Sequence, residues 1–108
     1  MNTGAIARGY RTTPYPGGTL LRRFQEFGGE IILNSDCHHA PQLCFGFDQA
    51  VELAQAAGFT HTNLWTKDGL RPVGWDEFGK GEGKCACKEL FFTCLTLCWT
   101  LPARPCLE

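Results

Sequence analysis

Between residues 19 and 66 helical and strand patterns alternate, and the alternation supplies only two strands. Leu20, Leu21, Phe24 and Phe27 recur at helical spacing behind Thr19, a candidate N-cap, while Arg22, Arg23, Gln25 and Glu26 take the opposite side. Gly28-Gly29 ends that helix. Glu30-Ile31-Ile32-Leu33-Asn34 then reads as a short strand whose consecutive apolar residues suit burial on both faces. A second helix is predicted from about Phe47 to Ala57 on the stripe Phe47, Ala50, Val51, Ala54 and Ala57, with Gly58 closing it. His61 to Thr66 follows as a β-prone run. Helices and strands in alternation, on short glycine-marked connections, signal α/β units with a parallel sheet. Two parallel strands cannot close a core, so the pattern reads as a piece of something larger. Residues 2–18 are irregular, because Pro14-Tyr15-Pro16-Gly17-Gly18 neither continues a helix nor pairs as a central strand.

Cysteine usage divides the chain. Of seven cysteines in 108 residues, five (Cys85, Cys87, Cys94, Cys98 and Cys106) lie in the last 24. The first 78 residues hold only Cys37 and Cys44, an ordinary intracellular number. The seam is Gly79-Lys80-Gly81-Glu82-Gly83-Lys84, a flexible-linker composition. Two parts follow: 1–78, and a Gly-rich linker with a Cys-rich tail over 79–108. A net charge of −1 argues against nucleic acid as a partner. The longest apolar-rich run, Leu90 to Leu101, is too short to span a bilayer, and no basic-then-apolar leader opens the chain. The expected compartment is the cytoplasm.

The densest set of potential ligands is Asp36-Cys37-His38-His39, directly after the first predicted strand. In parallel α/β folds, sites are built at that end of the strands. An aspartate and a histidine at i and i+2 on extended backbone point to one side, where carboxylate and imidazole suit Zn, Mn or Fe. Cys37 would face the other way. Two ligands do not complete a metal site, so further donors must come from elsewhere.

Ser35-Asp36-Cys37-His38, followed by Gly46-Phe47-Asp48-Gln49-Ala50 and Ala56-Ala57-Gly58-Phe59, resembles the C-terminal end of the PHP (polymerase and histidinol phosphatase) family, above all its histidinol-phosphatase branch. Asn2-Thr3-Gly4-Ala5-Ile6-Ala7-Arg8-Gly9 with Pro14-Tyr15-Pro16 is similar to the penultimate-strand segment of those enzymes, and Phe27-Gly28-Gly29-Glu30 to the turn before S-D-x-H. The resemblance covers residues 2–75. It implies an α/β fold, the C-terminal piece of a distorted TIM-like (βα)7 barrel, incomplete in this chain. It also implies a metal-dependent phosphate monoester hydrolase that converts L-histidinol phosphate to L-histidinol in histidine biosynthesis. Asp36 and His38 would act through the divalent metals they ligate, Zn, Mn or Fe, and Arg8 would bind the phosphate of the small-molecule ester.

The chain departs from the family in lacking its N-terminal H-x-H motif and its central glutamate and histidine ligands, so the metal cluster is incomplete. From residue 79 the family pattern ends. An incomplete chain should be a very poor phosphatase, and it should self-associate through exposed sheet edges. Two alternatives stand beside this reading: another PHP-family phosphoesterase, and a non-catalytic fragment or small Cys-rich binding protein. His39 reads as a solvent-facing loop residue and His61 as a structural histidine. Trp65, Trp75 and Phe78 read as cover for the exposed sheet. The tail spacing C-x-C, x6, C, x3, C is not a common zinc pattern.

Overall fold

The computed structural model describes residues 1–78. The linker and Cys-rich tail predicted over 79–108 lie outside the described residues. The elements are α1 (Gly4–Ala7), α2 (Gly18–Glu26), a 3-10 turn (Ala40–Gln42), α3 (Phe47–Ala56), β1 (His61–Thr66), β2 (Gly69–Gly74) and α4 (Trp75–Phe78).

Both longer helices end as their glycines predict. In α2 the amide of Gly29 donates to Phe24 O and that of Gly28 to Gln25 O; in α3 Phe59 donates to Ala54 O and Gly58 to Gln55 O. This is the Schellman arrangement, and Gly28 and Gly58 supply its left-handed residue with φ of +75° and +98°. The α3 stripe packs as its spacing predicts, with Ala50, Ala54 and Ala57 buried and Phe47 and Val51 partly covered. The α2 stripe does not. Only Leu21 is buried; Leu20, Phe24 and Phe27 are 60%, 47% and 87% exposed. Among the described residues α2 packs on α3, with Leu21 in one cluster with Ala54 and Ala57.

The sheet differs from the predicted parallel pair. β1 has the expected bounds, but its partner is β2, antiparallel, in the register His61↔Gly74 to Thr66↔Gly69 across the two-residue loop Lys67-Asp68. Pro72 sits in β2 opposite Asn63. A proline lacks the N–H a central strand needs, and β2 has one strand neighbour in the described sheet.

Residues 30–34 are extended but form no named strand among the described residues. Their burial alternates: Ile31, Leu33 and Ser35 are buried while Ile32 is 39% exposed. The expected burial on both faces is therefore corrected to burial on one. On one side this segment meets residues 1–3 in a parallel bridge between Asn2 and Asn34. There the Asn34 amide donates to Met1 O at 2.8 Å and the Thr3 amide to Asn34 O at 3.0 Å. On the other side Ile31 O accepts the Asn63 amide at 2.8 Å and the Thr62 hydroxyl at 3.2 Å. Tyr15 closes the outer edge of residues 1–3 through reciprocal bonds with Asn2 of 2.7 and 2.9 Å.

The extended segment threads both clusters of the core. Ile31 packs with Leu21, Ala54, Ala57 and Phe59, and Leu33 with Ala50, Val73 and Phe78. Trp75 touches both clusters, donates its indole N–H to Phe59 O at 2.8 Å, and stands edge-on to Phe78. Trp75 and Phe78 thus serve the core. Trp65 instead lies 61% exposed opposite exposed Leu70. Among the described residues no helix is long and apolar enough to cross a membrane.

Candidate functional site at the Asp36 turn

Leu33 and Ser35 are anchored in the interior, so the chain emerges at Asp36 from a fixed point. Asp36 then turns with φ +47°, a left-handed conformation that aspartate tolerates better than most residues. Its amide donates to Asn34 Oδ1 at 2.7 Å, an Asx-type turn. The backbone at Asp36 is therefore not extended, and the i, i+2 argument for converging Asp36 and His38 side chains does not apply. The two residues are still close enough for the His38 charge to favour the Asp36 carboxylate. The His38 amide meets Gln42 Oε1 at 3.5 Å, and His38 and His39 are both exposed. Cys37, between the two predicted ligands, is a half-buried free thiol.

Arg8 arrives from 28 residues away in sequence. It stands at the C-terminal end of α1, with Nη2 2.9 Å from Asp36 Oδ2 and Nη1 3.0 Å from Asp36 O. The carboxyl is held below the usual carboxylate range, first by the Arg8 hydrogen bond, with the charges of Arg8 and His38 and hydrogen bonding from Asn2 adding to it. Gly4 makes this approach possible. A Cβ there would stand 2.8 Å from Ser35 O and 3.0 Å from Arg8 Nη2 and Asp36 Cβ. Asn2 Oδ1 accepts the Gly4 amide at 2.8 Å and orients the start of α1. Beneath the turn, the buried hydroxyl of Thr3 has no hydrogen-bond partner among the described residues.

The structure thus joins Arg8 to Asp36, where the sequence assigned one to phosphate and the other to metal. Asn2 and Asn34 support the site without belonging to the motif that marks it in the sequence. The Asn34-Ser35-Asp36 spacing carried the signal for Asn34, since asparagine two residues ahead of an amide is the Asx-turn pattern.

A second polar cluster lies at the other end of the same segment. Glu30 Oε2 accepts a short bond from Asn63 Nδ2 and lies 3.4 Å from His61 Nε2, whose Nδ1 lies 3.1 Å from Thr60 Oγ1. The Asn63 bond, then the His61 bond, hold the Glu30 carboxyl below its ordinary range. His61, at the head of β1, thus lies within reach of both Glu30 and Thr60.

Among the described residues no three His, Cys, Asp or Glu side chains stand close enough to hold a metal ion. Asp36 and His38 offer at most two donors, and one oxygen of Asp36 already carries a guanidinium. The described residues therefore do not by themselves fit a metal centre. A comparison of the chain with protein-family models and with curated proteins finds no match.

Proposed function

We propose that this chain carries the Arg8, Asp36 and His38 portion of a metal-dependent phosphate monoester hydrolase of the histidinol-phosphatase type, within a PHP-like α/β barrel. One observation carries the reading. The two segments that bear the resemblance, Asn2 to Gly9 and Ser35 to His38, lie side by side, bridged in parallel at Asn2 and Asn34 and clasped by Arg8 on Asp36. Neighbouring parallel strands are what the last two strands of such a barrel would be, and the clasp sits at the C-terminal end of both. The chemistry of the residues agrees. A guanidinium matches phosphoryl oxygens with paired donors. A carboxylate held below its ordinary range stays ionised throughout the neutral region. The metal donors beyond Asp36 and His38 would come from outside the described residues.

The test is hydrolysis of histidinol phosphate by purified chain supplied with Zn, Mn or Fe. The expected result is slow turnover, far below the roughly 10 per second typical of enzymes, and abolished by Asp36→Ala. Hydrolysis indifferent to Asp36→Ala overturns the reading. Failure with all three metals favours the alternative, a non-catalytic small binding protein.

A further inference from the structure

We propose that a disulfide joins Cys44 to the Cys85-Ala86-Cys87 pair, stapling the Cys-rich tail to the loop that begins at the Asp36 turn, and that the staple opens under reduction. The Cys44 sulfur is disulfide-bonded, whereas Cys37, the other cysteine among the described residues, is a free thiol. The five remaining cysteines run from Cys85 to Cys106. A bond within one chain must reach that stretch. The fold favours its near end. The Phe47 ring stacks on that of Phe78 with centroids 6.3 Å apart, so the chain leaves the last described residue beside the start of α3. Cys44 stands three residues ahead of Phe47, a span of about 11 Å at most, and Cys85 stands seven beyond Phe78, a span of up to about 25 Å. That length can bring the two Cα atoms to the roughly 4.4–6.8 Å a disulfide needs. Cys94, Cys98 and Cys106 lie further along, and longer loops cost more entropy to close. Cys44 also holds φ +57°, a left-handed conformation that a β-carbon disfavours, and a covalent bond at its side chain is a constraint that would keep it there. A Cβ on Gly46, two residues on, would lie 3.5 Å from Thr3 Cβ and Ile6 Cδ1, so the bond falls near the helix that carries Arg8. A low-molecular-weight disulfide such as oxidised glutathione supplies the oxidation. The Cys44 thiolate attacks one of its sulfurs and releases a glutathione thiolate; the tail thiolate then attacks the Cys44 sulfur and releases the second. Two protein thiols become one disulfide, one glutathione disulfide becomes two thiols, and the two protons pass to the glutathione. Closed, the bond makes a covalent ring that includes α3, β1, β2 and α4 and restricts the unfolded chain. A reducing cytoplasm would keep it open and an oxidising compartment would keep it closed.

Peptide mapping of the full chain tests this, after oxidation with glutathione disulfide and blocking of free thiols with iodoacetamide. Trypsin cuts after Arg23, Lys67, Lys84 and Lys88, so residues 24–67, 85–88 and 89–108 part from one another. The expected product is 24–67 joined to 85–88, with fragmentation placing the alkyl group on Cys37 and the link on Cys44. A link from Cys44 to 89–108, to Cys37 or to a second chain overturns the assignment, as does Cys44 alkylated or capped by glutathione. The staple itself is read from thermal unfolding. A phosphine reductant should lower the midpoint of the oxidised chain by about 10 °C. Cys44→Ser should unfold at the lower temperature with or without reductant. A mapped bond whose reduction leaves the midpoint in place overturns the staple, and this comparison holds even if Cys44→Ser does not fold.

Discussion

Glu30 and Asp36 stand at opposite ends of one extended segment, and both are held ionised below the ordinary carboxylate range, yet by different means. Glu30 is held mainly by a neutral amide, Asn63, on the neighbouring strand. Asp36 is held mainly by a cation, Arg8, from a short helix. The first arrangement pins the segment to β1 through Asn63 and His61. The second neutralises the charge and joins two motif-bearing segments at a turn that opens to solvent. Glu30 is thus tied to the neighbouring strand, and Asp36 to the end of a helix 28 residues away.

The largest way to break this comparison is to cut both ends from the core between them. Leu33→Ala removes a buried side chain from the cluster of Ala50, Val73 and Phe78. It should cost about 2–5 kcal/mol of unfolding free energy in chemical denaturation. Both ends should loosen together.

A change at Gly4 separates the two ends. The Cβ of Gly4→Ala would press on Ser35 O, a backbone atom that cannot swing away. Thermal or denaturant unfolding should show a loss of about 1–3 kcal/mol. In NMR spectra the Asp36 turn should shift while the signals of Glu30 and Asn63 stay in place.

Beneath the Asp36 end, Thr3→Val exchanges a buried hydroxyl that lacks a partner among the described residues for a methyl group of similar shape. This should stabilise the chain by about 1 kcal/mol, measured the same way. A loss instead would show that the hydroxyl has a partner that matters.

Much of the local structure was legible in the sequence. The α3 stripe, the glycines after α2 and α3, and the bounds of β1 follow from periodicity and capping, which act over a few residues. What was not legible depends on distant neighbours. Gly69-Leu70-Arg71-Pro72-Val73-Gly74 reads poorly as a strand because two glycines and a proline disfavour one, and only pairing with β1 makes it one. Helical spacing in α2 tells which residues line up, not which side is covered; Leu21 is buried while Leu20, Phe24 and Phe27 of the same stripe are exposed. At the site, Asp36 and Arg8 were each singled out, but their pairing across 28 residues left no local trace. Nor did the left-handed turn at Asp36, which takes its side chain off the extended course that i, i+2 spacing assumes.

The pH dependence separates the two ends most finely. Each carboxyl titrates lower in the folded chain than in the unfolded one. Each therefore adds stability that is fully present above the ordinary carboxylate range and is lost as pH falls through the lower folded value. The most direct measurement is an NMR titration of the side-chain carboxyl carbons of Asp36 and Glu30 in the unsubstituted chain and in Arg8→Gln. Asp36 should titrate below the ordinary range in the first and return toward it in the second, with Glu30 unchanged in both. An Asp36 titration that Arg8→Gln leaves in place would contradict the claim that Arg8 and Asp36 form one site.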